Sequence, residues 1–301
     1  MKSHLLPLAR LFIAGCGLLA LAGCMSMVGF GYRQADHIAA WKADQYFDLD
    51  ANQKEEFHKR FARFYTWHRY EQLPDYASFL ASGGQRIERG LTSADIDWFA
   101  EGLRSRYRRM VRYAAADAAD MLATLTPAQI DTLEKQWQKD NRKFASEHKL
   151  DGTPEDRKQA LARRMLSRIK DWTGSLSDAQ EARIVALLNK LPDTEQARYE
   201  DRLRRQREFF QLLQSRRGER QQFAARLTQW LSDWETGRNA EYARVADAAW
   251  QQRTQFYVAL EHMLTPEQRA TLVHRLQNHI QEFRTLAQEG RPAAQTATSE
   301  R

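Results

Sequence analysis

The sequence predicts an all-α fold, a multi-helix antiparallel bundle-like domain of long amphipathic helices joined by short loops. Three observations predict it. Apolar residues recur at four-three spacing along most of the chain, which puts one apolar stripe on one face of each helix. No sustained alternating segment and no hairpin dipeptide flanked by strand-like runs occurs. One capping motif returns at several helix starts. The composition agrees: 14 Gly and 7 Pro in 301 residues, with 28% charged and 43% hydrophobic, suit an ordered helical chain rather than a disordered one.

The first element is a leader. Residues 1–10 carry Lys2 and Arg10 and no acid, and residues 11–23 are an unbroken run of apolar and small residues. That is the layout of a secretory signal, and it is shorter than the roughly 20 apolar residues a membrane span requires. The run ends in Leu21-Ala22-Gly23-Cys24, which resembles the bacterial lipobox. The resemblance implies that residues 1–23 are removed, that Cys24 is acylated, and that Met25, standing where an Asp would retain the chain, directs it to the outer membrane. A second match, Ile13-Ala14-Gly15-Cys16, has almost no apolar run between it and Arg10. Cys16 leaves with the leader, so the mature chain has neither a disulfide nor a free thiol. Lys2 and Arg10 leave too, and the formal net charge falls from +7 to +5. With so modest a surplus outside the cytoplasm, nucleic acid is not an expected partner.

Residues 24–33, rich in Gly and Met, read as the lipidated Cys24 and a short tether, and residues 34–289 as the helical periplasmic domain. Within that domain the stripes run in order. Phe57, Phe61, Phe64 and His68 form the first, and Ile96, Phe99, Leu103, Tyr107, Met110, Ala114, Ala118 and Met121 a long second. Ile130, Leu133, Trp137 and Phe144 follow, then Leu161, Met165, Ile169 and Trp172, then Ile184, Leu187 and Leu191. Phe223, Leu227, Trp230 and Trp234 precede the last stripe, Val273, Leu276, Ile280 and Phe283. Residues 290–301 have no stripe and are expected to be a disordered tail.

Helix starts share a motif. Leu125-Thr126-Pro127-Ala128-Gln129 and Leu264-Thr265-Pro266-Glu267-Gln268 are nearly identical, and Leu176-Ser177-Asp178-Ala179-Gln180 and Leu49-Asp50-Ala51-Asn52-Gln53 are looser copies. The hydroxyl or carboxylate at the N-cap accepts from a free backbone N–H, and Gln three residues on accepts from the cap's own N–H. Proline suits the first helical position, where a missing N–H costs nothing. Thr153-Pro154-Glu155-Asp156 is a further start of the same kind.

These Leu-Thr-x-x-Gln windows resemble those of small helical periplasmic chaperones that cradle unfolded clients. A wider resemblance rests on Tyr46-Phe47-Asp48-Leu49, Gln53, Trp67-His68-Arg69 and Leu73-Pro74-Asp75-Tyr76, which together look like a family of uncharacterised proteobacterial outer-membrane lipoproteins. It implies an outer-membrane lipoprotein facing the periplasm, and transfers no catalytic residue.

Two candidate sites emerge. Trp67, His68 and Arg69 lie together, with His68 on the Phe57–Phe64 stripe. His68 is expected either to contact a ligand and titrate near ambient pH, or to be a core histidine bonded to a carbonyl or carboxylate, holding its helix against a Leu73-Pro74 turn. The second candidate is Arg104, Arg108, Arg109 and Arg112, with Arg106 between them and no acid between Glu101 and Asp117, a segment expected either to pair with acids from other helices or to contact an anionic surface. Arg202, Arg204, Arg205 and Arg207 instead have Glu200 and Asp201 at helical pairing distance and read as a solvated, ion-paired face. No metal-ligand spacing, nucleophile elbow or phosphate loop occurs, so neither cofactor, metal nor catalytic residue is expected. The expected function is non-enzymatic, a lipid-anchored binding, chaperone-like or scaffold module. Its partner is an envelope protein or an unfolded client. The alternative is an enzyme acting on the cell wall.

Overall fold

A computed structural model describes residues 25–238 and 240–290, with side chains from residue 28 onward except 241. The leader, Cys24 and the tail from residue 291 lie outside the described residues. Among the described residues there is no strand, and the chain forms α1 (Met25–Arg33), α2 (Ala35–Phe47), α3 (Ala51–Trp67), a π-helical segment (His68–Gln72), α4 (Leu73–Glu88), α5 (Ser93–Ala123) and α6 (Pro127–Glu147). It continues through α7 (Pro154–Thr173), α8 (Asp178–Leu188), α9 (Glu195–Gln214), α10 (Arg220–Ser232), α11 (Ala240–Met263) and α12 (Pro266–Gln288). The all-α, multi-helix reading holds.

The capping motifs do more than start helices. Asp50, Thr126, Ser177 and Thr265 each complete a capping box with the glutamine three residues on. The four glutamines then meet in two pairs. Gln53 donates from Nε2 to Gln129 Oε1 at 3.1 Å and Gln129 returns the bond at 2.5 Å. Gln180 and Gln268 do the same at 2.8 and 3.0 Å. Each amide also donates to the backbone at its partner's cap: Gln129 to Asp48 O, Gln53 to Thr124 O, Gln268 to Ser175 O and Gln180 to Met263 O. Two helix starts far apart in sequence are thereby locked side by side twice over. No donor or acceptor of these amides is left bare.

Apolar packing follows the stripes. Leu133 and Trp137 of α6 join Tyr46, Ala119, Phe209, Leu213, Phe223 and Leu227 in one core. Leu73, Tyr76 and Ala77 pack on Leu276, Ile280, Phe283 and Leu286 of α12 in another. Ile169, Ile184, Leu188 and Phe256 join α7, α8 and α11.

Three expectations need correcting. Residues 25–33, read as a tether, form α1, whose Tyr32 hydroxyl bonds to His68 and whose Arg33 pairs with Glu289 at 2.5 Å. The chain does not turn at Leu73-Pro74 but runs on as helix. Pro74 has no N–H for the Tyr70 carbonyl, and the π-helical segment, with Leu73 N donating to His68 O, takes up the misfit. On α9 Arg207 is exposed as expected, but Arg202, Arg204 and Arg205 are not solvated: the Arg205 guanidinium stacks 3.9 Å over Trp230, and burial there pulls it down to about 10. Arg202 bonds Asn141 at 2.6 Å, and Arg204 pairs with Asp201 and Glu208.

Candidate functional site

The structure sends Trp67, His68 and Arg69 to three different neighbours. Trp67 stacks flat on Tyr113 of α5 with centroids 4.0 Å apart. His68 is 4% exposed, ringed by Tyr32, Phe64 and Tyr76, and shares a 3.0 Å hydrogen bond between Nδ1 and the Tyr32 hydroxyl. Its partner is a hydroxyl rather than the expected carbonyl or carboxylate. Burial pushes the imidazole down to about 4, so it is neutral at ambient pH and is not a sensor there. Among the described residues its Nε2 has no hydrogen-bond partner, and neither has the nearby-in-sequence Gln72 Oε1. Arg69 donates from Nε to Leu286 O at 2.7 Å and pairs with Glu289 at 3.0 Å, while the Tyr70 hydroxyl donates to Gly290 O at 2.9 Å. The motif is a clasp. It joins α1, at the start of the described chain, to the last turn of α12.

The arginines of α5 are brought together, but not bare. Arg104 and Arg108 share Glu101, each at 3.6 Å. Asp75, supplied by α4, pairs with Arg106 at 2.9 Å and Arg109 at 3.4 Å. Arg112 is exposed and has no ion pair among the described residues. Five guanidinium groups thus stand against two carboxylates, a surplus that favours anionic partners and weakens with salt. On the same helix Phe99 and Leu103 are 38% and 42% exposed. They belong to the predicted stripe, yet the buried face of α5 is Tyr107, Met110, Val111, Ala115 and Ala119. A 31-residue helix is about 46 Å long and outruns any single neighbour.

Beside these arginines lies a shallow open groove of about 700 Å³ between α4 and α5. Phe79, Trp98, Asp97, Glu101, Ser105 and Arg106 line it. Residue 102 on its wall is glycine, and the Phe79 ring packs directly against it: a Cβ there would sit 2.3 Å from the ring. Arg106 covers Phe79 at 3.9 Å and Arg86 covers Trp98 at 4.1 Å. Asp97 accepts from Trp250 Nε1 at 2.9 Å. Asp95 anchors the start of α5 by accepting from Thr92, Arg86 and Arg89, and these bonds outweigh its burial and hold its carboxyl far below the usual range. None of this was read from the sequence. The Thr92-x-x-Asp95 box was available as a signal; the groove, which depends on how α4 and α5 pack, was not.

Among the described residues no three metal-ligating side chains cluster and no helix is long and apolar enough to cross a membrane. Helices locked at their starts, a clasp at one end and a mixed apolar and cationic groove belong to one all-helical body. The chain belongs to a family of unknown function (DUF6279), which matches residues 45–243. That span takes in the Trp67-His68-Arg69 motif, though not its partners on α1 and α12, together with the α5 arginines and the Gln53–Gln129 pair. No curated protein and no solved structure matches the chain.

Proposed function

We propose that the protein is a lipoprotein of the bacterial outer membrane, anchored through Cys24 with its helical body facing the periplasm. It works by binding an envelope protein or an unfolded client, as a scaffold or chaperone-like module. Anchoring rests on Leu21-Ala22-Gly23-Cys24 closing the apolar run of residues 11–23. Binding rests on one observation: α5 presents exposed Phe99 and Leu103 beside a surplus of arginines and a groove with aromatic and carboxylate walls. Such a surface suits a partner with apolar and acidic groups together.

Intact-mass measurement on protein from native cells tests the anchor; an unacylated product still bearing Met1 rules it out. A photo-crosslinker at Leu103 in living cells tests the binding. A scaffold gives one discrete adduct and a chaperone gives many. Replacing Arg104, Arg108, Arg109 and Arg112 with Gln should weaken either. No adduct at all sinks the binding reading. The second reading, an enzyme acting on the cell wall, draws on Asp97 and Glu101, four residues apart on the groove wall. Release of soluble fragments from purified cell wall, lost in Asp97→Asn and Glu101→Gln, would select it.

A further inference from the structure

Neither the clasp nor the groove uses three of the most exposed apolar side chains. Phe30 is 66% exposed, Trp41 52% and Ile38 40%. They share a stripe. α1 and α2 are nearly one helix, because across the break at Gln34 the bonds continue, Gln34 N to Phe30 O and Ile38 N to Gln34 O. On such a helix positions 30, 34, 38 and 41 fall on one side. The other side is taken. Tyr32 reaches His68, Gly29 lies against Glu282, and Ala43 and Tyr46 are buried in the body. The stripe faces outward over about 17 Å of helix, at 1.5 Å per residue.

What covers it follows from the anchoring proposed above, on which this inference rests. α1 begins at Met25, the residue next to Cys24. Phe30 is six residues from that cysteine and cannot lie more than about 20 Å from it even along extended chain. Acyl chains entering the bilayer at Cys24 therefore bring the stripe to the lipid surface. Tyr32–His68 and Arg33–Glu289 fix α1 to the body, so the helix arrives with its orientation set. A helix lying parallel to the membrane puts all three side chains in the lipid at once; an upright one does not.

We infer that the outer face of α1 and α2, through Phe30, Ile38 and Trp41, lies in the headgroup region of the membrane that holds the Cys24 acyl chains. Phenylalanine and isoleucine leave water there, and the tryptophan indole keeps its N–H among headgroups. The body is docked on the bilayer rather than hanging from it.

The test uses the full acylated protein in vesicles of phosphatidylethanolamine and phosphatidylglycerol. Cys24 is blocked by lipid, so Trp41→Cys takes a fluorophore at one place, and Arg183→Cys, exposed on α8 beside the start of α12 while α1 meets α12 near its end, gives the comparison. Lipids carrying a quencher should extinguish the label at position 41 and spare that at 183. In the Phe30→Gln, Ile38→Gln background, which alters only exposed side chains, quenching at 41 should be lost. Equal quenching at 41 and 183 in protein whose mass shows the acyl chains overturns the inference and leaves the anchor standing. Protein without acyl chains means the anchor itself has failed. A label at 41 shielded from both water and lipid, with chains crosslinking in pairs, puts a second copy on the stripe and likewise overturns it.

Discussion

At the residue scale two kinds of side chain control this molecule, the paired glutamines and the buried titratable groups. Gln129→Ala removes a capping bond of about 1 kcal/mol and leaves the Gln53 amide short of partners, for about 2–3 kcal/mol in all. Urea titration should show that loss. A Gln53→Ala, Gln129→Ala cycle should show coupling above about 0.5 kcal/mol, because the two amides satisfy one another. Additive single losses would mean that each glutamine only caps its own helix. His68 and Glu195 divide the acid side of the stability curve. The His68 imidazole, about 4 when folded, is near 6.5 in an unfolded chain. Between those values only the unfolded chain holds the extra proton. The contribution of His68 is complete above about pH 6.5 and drains away towards pH 4, by roughly 3 kcal/mol. Burial pushes Glu195 up, but the 2.5 Å bond from His148, with Arg198 and Arg164, outweighs it and holds the carboxyl at about 2. Its share is intact above the usual glutamate range and is lost as pH falls from there towards 2. Denaturation midpoints at pH 7, 5.5 and 4.5 should drop in the native chain and stay flatter in His68→Phe. Glu195→Gln should leave that step unchanged.

At the element scale the helices were readable and their faces only partly so. Leu133, Trp137 and Phe144 of α6 are buried as their spacing predicts, because that helix packs along one side. On α5 the same spacing picks out Phe99 and Leu103, which are exposed, and passes over Val111, Ala115 and Ala119, which are buried. The period says that a helix has a face; which neighbour covers which turn depends on tertiary order that no spacing encodes. The same holds for the basic run. Its acids arrive from α4 through Asp75, and local sequence could not supply them. Pro74 misled in the opposite direction, since a π-helical turn absorbed what should have been a stop. Gly102 is the clearest test of packing against propensity. Gly102→Ala gains about 1 kcal/mol of helix propensity. It also drives a methyl into the Phe79 ring, an overpacking cost of about 1–3 kcal/mol. The ring cannot swing aside freely under Arg106. The variant should therefore melt lower than the native chain, with an altered near-ultraviolet signal from Trp98. A higher melting temperature would mean that Phe79 has room to move and that the groove is soft.

At the scale of the whole molecule, the clasp decides whether α1 is part of the body. Arg69 is its centre, donating to the carbonyl of Leu286 and pairing with Glu289, which in turn receives Arg33. The two arms of this network differ in strength. The Arg33–Glu289 pair is largely open to water, and such pairs contribute only about 0–1 kcal/mol. The bond from Arg69 to Leu286 O is charge-assisted and closes the C-terminal end of α12, where orphan carbonyls gather. Glu289→Ala should therefore leave the global denaturation midpoint almost unchanged. It should speed amide exchange in residues 25–33 and in the last turn of α12. Arg69→Ala should do both and also lower the midpoint, by about 1–3 kcal/mol. The core of Leu133, Trp137, Phe209 and Leu213 lies on other helices and should keep its protection in either variant. Local opening at the ends with a protected core would identify α1 as a separately releasable element. Were exchange in residues 25–33 instead to stay tied to global unfolding in both variants, the Tyr32–His68 bond and the contact of Gly29 with Glu282 would by themselves hold α1, and the ion pairs would be ornament.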